Sequence, residues 1–252
     1  MSPTRRIAGR VALVTGATRG IGRGLVQALL ARGARTVYAG GRRAADLADL
    51  VTTYGTRVVP LALDVTNGVH VRQAVDLADD TDLLVNNAGV ALHGFAPFED
   101  PAWLDAARAE YEVNVIGVLR LTQAFAPILA HRGGGVVVNV NSISGLVGMP
   151  QAMTYHASKA ALHSLTQSTR MALRGQGTEV IGVYPGPTDT EMAKRLPNIK
   201  ATVATVANAI LDGIEQGVEE IFPDPFAQQI GAAYLANPKE LERTAESMQR
   251  QG

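Results

Sequence analysis

The stretch Arg10-Val11-Ala12-Leu13-Val14-Thr15-Gly16-Ala17-Thr18-Arg19-Gly20-Ile21-Gly22 decides the fold. RVALV reads as a buried strand. Gly16, Gly20 and Gly22, spaced G-x3-G-x-G, then break the run, and a helical pattern follows to about Ala31, closed by Gly33. A strand that turns into a helix through glycines does so where the backbone must come close to something. Glycine tolerates the tight turn, and the helix N-terminus offers N–H groups and partial positive charge to an anion. The segment from Gly16 through Thr18, Arg19, Gly20, Ile21 and Gly22 therefore points to a bound dinucleotide. A bare glycine-rich turn is the bland alternative.

The alternation that begins there runs along the chain. Strand patterns at 35–39, 57–63, 82–85, 135–140, 179–184 and a short 219–222 alternate with helical patterns at 43–54, 69–78, 101–130, 154–174 and 203–214. Pro60 predicts an edge position for the third strand, because proline cannot donate to the ladder. Strands alternating with helices of this length predict an α/β fold: a doubly wound parallel sheet of about seven strands with helices on both faces, in a single domain. Its core spans about 10–222, with a C-terminal tail at 223–252. Ligands of such sheets bind beyond the carboxyl ends of the strands. The unusual residues of this chain lie there, after the first, fourth, fifth and sixth strands.

Composition narrows the function. Of 252 residues, 46% are hydrophobic and 18% charged, enough apolar material for a large core. Twenty-three basic and 23 acidic side chains balance, so no bulk field draws the chain to nucleic acid or an anionic membrane. The absence of cysteine removes disulfides and thiol chemistry. No apolar signal-like run opens the chain and no run of about 18 apolar residues interrupts it, so a cytoplasmic protein with no membrane span is expected. The five histidines show no ligand spacing, so no metal is expected.

The end of the second strand selects the nucleotide. An acid there would bind the ribose hydroxyls of NAD. This chain has Gly40-Gly41-Arg42-Arg43 instead, and Arg19 adds a third guanidinium. Arginine forks suit a phosphate, so NADP(H) is expected in preference to NAD(H), with Arg42 and Arg19 on the 2′-phosphate and Arg43 as a further candidate. Asp64-Val65 follows the third strand; Asp64 suits either the adenine amino group or the cap of the next helix. Asn86-Asn87-Ala88-Gly89 follows the fourth, where small residues allow close approach to a ribose.

Chemistry is suggested farther on. Tyr155 and Lys159 form an (i, i+4) pair on one helix face. A tyrosine is a poor acid near neutral pH unless a neighbouring ammonium and the positive helix end lower its pKa. Ser142, at the end of the fifth strand, is placed to donate to a substrate carbonyl. TGATRGIG, NNAG, the asparagine of VNVIG, NSISG, YHASK and PGPTDT occur in this order, and together they resemble the short-chain dehydrogenase/reductase family, in particular its classical single-domain branch, over about 10–222.

The resemblance implies a Rossmann-type fold and an NAD(P)-dependent oxidoreductase. It implies Tyr155 as general acid/base and Lys159 as the residue that lowers its pKa and binds the nicotinamide ribose. Ser142, thirteen residues before Tyr155, would orient the carbonyl, with Ser144 its nearest rival. Asn114 would hold a water in a proton relay to Lys159. The Pro185-Gly186-Pro187-Thr188-Asp189-Thr190 loop would contact the nicotinamide carboxamide, through Thr188 first and Thr190 second. Substrate contacts would come from Ser142, Tyr155, His93, Leu146 and Met192, within an apolar wall that also draws on Leu92, Phe95, Val147, Met149 and Leu196. Apolar or aromatic ketones and aldehydes, or the matching alcohols, fit such a wall. Small residues along 154–174 and the apolar helix 101–130 imply a homodimer or homotetramer. A non-redox enzyme on the same scaffold (epimerase or dehydratase) and a non-catalytic NADP(H)-binding regulator are the alternatives.

Overall fold

The structure, a computed structural model, describes residues 6–194 and 200–249. Among these residues seven strands, β1 (Val11–Thr15), β2 (Thr36–Gly41), β3 (Val58–Ala62), β4 (Leu83–Asn86), β5 (Gly135–Val140), β6 (Thr178–Val183) and β7 (Glu220–Ile221), form one parallel sheet in the order β3-β2-β1-β4-β5-β6-β7. The helices between them are α1 (Gly20–Ala31), α2 (Ala48–Tyr54), α3 (Gly68–Leu77), α4 (Ala102–Tyr111), α5 (Gly117–His131), α6 (Met153–Leu173) and α7 (Val203–Gln216). Two more, α8 (Pro225–Ala236) and α9 (Pro238–Gln249), follow the sheet. The doubly wound α/β reading holds, and Pro60 sits on the edge strand β3, where its missing N–H costs no ladder bond.

The period of two along each strand divides the core. Ala12 and Val14 of β1 point into a cluster with Leu25 and Leu29 of α1 and Ile210 and Leu211 of α7. Leu13 points the other way, into a cluster with Leu84, Leu121, Phe125 and Leu129. By length and composition, the run Ala102–His131 is apolar enough to cross a membrane. Here that apolarity serves the core, since Leu121, Phe125 and Leu129 are buried against the sheet. The run is also not one uniform helix: Glu112–Ile116 widens into a π-turn between α4 and α5, a device that often marks a functional site.

Polar residues stitch the layers. Asn86 donates to Thr122 Oγ1 (3.1 Å) and to Asn139 Oδ1 (2.9 Å), and Asn139 donates to Thr166 Oγ1 (3.0 Å). β1 and β4 are adjacent in the sheet while 72 residues separate Thr15 from Asn87, so the order reverses between them and a crevice opens above their carboxyl ends.

Candidate active site

The glycine loop lines that crevice. Gly16 has φ +65°, and a Cβ there would lie 3.0 Å from Ala88 Cα. A Cβ at Gly22 would lie 2.3 Å from the Gly16 carbonyl oxygen. The two glycines thus let the loop and the start of α1 pack directly against Gly16, Asn87 and Ala88, where any side chain would collide. The residue preceding α1, Arg19, makes no side-chain cap bond, and the first turn holds no acid. An uncapped helix start of this kind is an anion site. The loop is held from below: Asn87 Nδ2 donates to Thr15 O (2.8 Å), and Thr15 Oγ1 accepts the N–H groups of Asn87 and Ala88 (both 2.9 Å). Asn87 therefore braces the crevice rather than lining it with a free amide. These features fit a dinucleotide diphosphate.

Beside the loop, Thr18 abuts Gly41, where a Cβ would meet its Cγ2 at 2.6 Å. Arg19 and Arg42 are exposed. Arg43 is folded onto Asp46, with Nε to Oδ2 at 3.0 Å, as an exposed surface pair. Asp64 does not cap α3. Asn67 does, accepting from Val69 and His70 N–H, while Asp64 accepts the N–H (2.9 Å) and hydroxyl (2.7 Å) of Thr66. Val65 is buried, and its carbonyl accepts from Arg120 (2.7 Å).

The polar centre gathers across β4, β5, α4 and α6. Ser142 is the side chain that acts on the Tyr155 phenol, drawing its pKa down. Ser142 Oγ also accepts the Ser144 N–H (3.1 Å), so the rival serine serves its neighbour through the main chain. Lys159 is buried, with its Nζ 5.8 Å above the centre of the Tyr155 ring and donating to Val140 O (3.0 Å). Gly89 lies over the same spot: a Cβ there would sit 3.3 Å from Asn114 Oδ1 and 3.7 Å from Lys159 Nζ. Asn114, fully buried in the π-turn, spends its amide on others. Oδ1 accepts Val90 N–H (2.9 Å), and Nδ2 donates to Val90 O (2.9 Å) and Ser158 Oγ (3.0 Å).

The electrostatics depart from expectation. Burial pushes the Tyr155 phenol up to about 12; the bond to Ser142 pulls it down and Glu110 pushes it further up. Lys159 does not hold it low, because its ammonium lies over the ring rather than beside the hydroxyl. Burial pushes that ammonium down to about 8. Glu110 was not a sequence candidate. It is 0% exposed, Oε1 accepts the Leu92 N–H (2.7 Å), and Oε2 has no partner among the described residues. The spacing Trp103, Ala106, Glu110, Asn114 would have found it, since it places the acid on the buried stripe rather than among its polar neighbours.

The expected substrate residues scatter. His93 Nε2 lies 3.2 Å from Asp100, and its ring packs edge-on against Trp103 at 4.4 Å. Leu146, Val147 and Met149 line a cavity of about 560 Å³ with Phe98, Met153 and His156. Ser144 and Gly145, just after Ser142, also line that cavity, and the His156 ring lies 6.2 Å from the Tyr155 ring. Leu92, Phe95 and Met192 are exposed. Phe95 has φ +57°, a strained value for a non-glycine, and its N–H bonds Gln151 O (2.8 Å). Leu196 lies outside the described residues. Thr188 is buried and donates to Gly186 O (3.1 Å), and Thr190 donates to Thr188 O (3.2 Å).

A family model described as short chain dehydrogenase matches residues 10–200. The chain belongs to the short-chain dehydrogenase family. It is an oxidoreductase by that membership. A ketoacyl reductase of Nostoc is 31% identical to this short-chain dehydrogenase over 248 residues, covering 91% of this chain and 84% of the relative. A short chain dehydrogenase from Burkholderia cenocepacia, solved in complex with NADP, is 42% identical with a TM-score of 0.86, over 94% of this chain and 97% of that one. A short chain dehydrogenase/reductase from Burkholderia phymatum, solved with NAD, is 28% identical with a TM-score of 0.76, over 93% of each chain.

Proposed function

We propose that this short-chain dehydrogenase is an NADP(H)-dependent carbonyl reductase, interconverting a ketone or aldehyde and the corresponding alcohol. The observation that carries the reading is the grouping of Tyr155 with Ser142 and with Lys159, whose Nζ lies 5.8 Å over the Tyr155 ring and against Gly89. NADP(H) is favoured over NAD(H) by the exposed Arg42 and Arg19 beside that loop and by the NADP complex of the Burkholderia cenocepacia relative.

In this reading Gly16, Gly20, Ile21 and Gly22 receive the diphosphate, and Arg42 with Arg19 the 2′-phosphate. Asp64 and Val65 border the adenine, Ala88 and Gly89 the ribose. Pro185, Gly186, Thr188 and Thr190 border the nicotinamide. The bound cofactor supplies the hydride that reduces the carbonyl carbon. Ser142 steadies the carbonyl oxygen, and Tyr155 gives that oxygen its proton. A phenol held at about 12 is protonated throughout the neutral range, as the acid of a reduction must be. Lys159, charged below about pH 8, holds the proton that refills Tyr155. Because the Asn114 amide is committed to Val90 and Ser158, that residue contributes through its main chain and through the position it gives to 90–92.

Apolar ketones are the substrate class, on the strength of Leu92, Phe95 and Met192 exposed in the segments that follow β4 and β6. A homodimer or homotetramer through α4–α6 fits the exposure of Leu104 (65%) and Met171 (68%); size-exclusion at micromolar concentration tests it. The decisive experiment follows NADPH absorbance across a panel of ketones and aldehydes for the wild type and Tyr155→Phe. The variant should lose at least about 10³-fold in kcat while binding NADPH within about twofold of wild type. Retained turnover in Tyr155→Phe refutes the assignment.

A further inference from the structure

Helices α8 and α9 lie outside the strand–helix alternation, yet the turn that leads into them touches the site. Asp224, between β7 and α8, is 3% exposed, and both carboxylate oxygens are engaged. Oδ1 accepts the Ala227 N–H at 2.8 Å and caps α8. Oδ2 accepts the Gly186 N–H at 2.8 Å, 38 residues back along the chain. A Cβ at position 186 would meet Asp224 Oδ1 at 2.8 Å, so only glycine admits the carboxylate there. The contact continues inward. The Gly186 carbonyl accepts the Thr188 hydroxyl (3.1 Å), and the Pro185 carbonyl accepts the N–H of Ile143 (3.1 Å), the residue that follows Ser142. One buried acid thus stands behind the 185–190 loop and, through Pro185, behind the loop that carries Ser142.

We propose that Asp224 is a positioning residue of this enzyme: it fastens the 185–190 loop where NADP(H) must be received and, through Pro185, keeps the Ser142 loop in register, so that the C-terminal segment is a working part of the active site. The inference rests on the NADP(H)-dependent reading above. Both donors to Asp224 are backbone amides, so the carboxylate's position and the course of the main chain set each other. A helix cap alone would need only the Ala227 bond. The Gly186 bond serves nothing in α8.

The test is Asp224→Asn. Asparagine caps helices as well as aspartate does, so the Ala227 bond survives. Its single acceptor oxygen is then spent, and its NH2 group faces the Gly186 N–H as donor against donor. Ala227→Pro is the reciprocal variant: it deletes the capping N–H in a first turn that tolerates proline and leaves the Gly186 bond. NADPH affinity is read by fluorescence titration, loop order by hydrogen exchange over 183–190 and 141–146, and fold integrity by thermal melting. In Asp224→Asn, NADPH affinity should fall about tenfold, as for loss of one charge-assisted hydrogen bond. Both segments should exchange faster, with the melting temperature within a few degrees of wild type. Ala227→Pro should bind NADPH as wild type does. Wild-type affinity and exchange in Asp224→Asn overturn the proposal, as does an equal loss in Ala227→Pro, which would assign the effect to α8 itself. If the wild type binds no NADPH, the functional reading fails, and unchanged exchange at the two segments in Asp224→Asn still refutes the bridge.

Discussion

Replacing Lys159 by methionine should stabilise the fold while removing its activity. Methionine keeps an unbranched chain of similar length but carries no charge to bury. Burial lowers the Lys159 pKa from 10.5 to about 8, and a difference of that size corresponds to about 3 kcal/mol of folding free energy. The residue is 4% exposed, so solvent screens little of this. Methionine leaves the Val140 carbonyl without its donor, which costs back about 1 kcal/mol. The net gain expected at pH 7 is therefore about 2 kcal/mol.

The sign has a pH signature. Below about pH 8 the lysine is charged in both states, and the full cost of burying it is present. Between about 8 and 10.5 the unfolded chain binds a proton that the folded chain does not, so wild-type stability climbs relative to the variant. Near pH 10.5 the variant's advantage is gone. The assay is urea unfolding of both proteins between about pH 7 and 9, below the range where Tyr155 and Tyr184, both raised by burial, begin to lower folded stability with rising pH. Taking the difference between the two proteins cancels every group they share. A difference that does not change with pH would refute the reasoning, because it would mean that the folded lysine titrates at its ordinary value.

Two further outcomes are expected. Arg42→Ala should raise KM for NADPH about tenfold while leaving KM for NADH unchanged, as loss of one exposed charge-assisted contact to a phosphate would; equal effects on both cofactors would remove the 2′-phosphate assignment. Glu110→Gln keeps an acceptor for the Leu92 N–H but removes the charge that raises the Tyr155 phenol. The apparent pKa of alcohol oxidation should move down on the order of half a pH unit, less than the effect of a charge in direct contact, and a pH–rate profile superimposable on wild type counts against an electrostatic role for Glu110.

Much of the molecule is legible in its amino-acid order. The strand and helix periods of 10–222 map onto the observed elements because each period reports a local requirement, the face a segment must bury. Pro60 marks the sheet edge for an equally local reason. The boundary that fails, the long helix at 101–130, fails at the π-turn over Glu112–Ile116, where packing against the site overrides the regular period. Arg42 and Arg43 look alike in sequence, but a neighbouring Asp46 three residues on ties down only the second. Leu146, Val147 and Met149 are apolar near the right motif, and the structure gathers them around one cavity with Ser144, Gly145 and His156.

The sequence by itself determined the order of elements and the glycine loop at the first strand end, because local pattern and spacing carry those, and through its family resemblance it named Ser142, Tyr155 and Lys159 as candidates. Only the tertiary structure decided the energetics of the site. The phenol is raised because burial, a property of the whole packed surface, outweighs the pull of Ser142 in the other direction. Glu110 and Asp224 become visible as supports because their partners, Leu92 and Gly186, lie 18 and 38 residues away, and no local pattern can show which distant amide a buried carboxylate will meet.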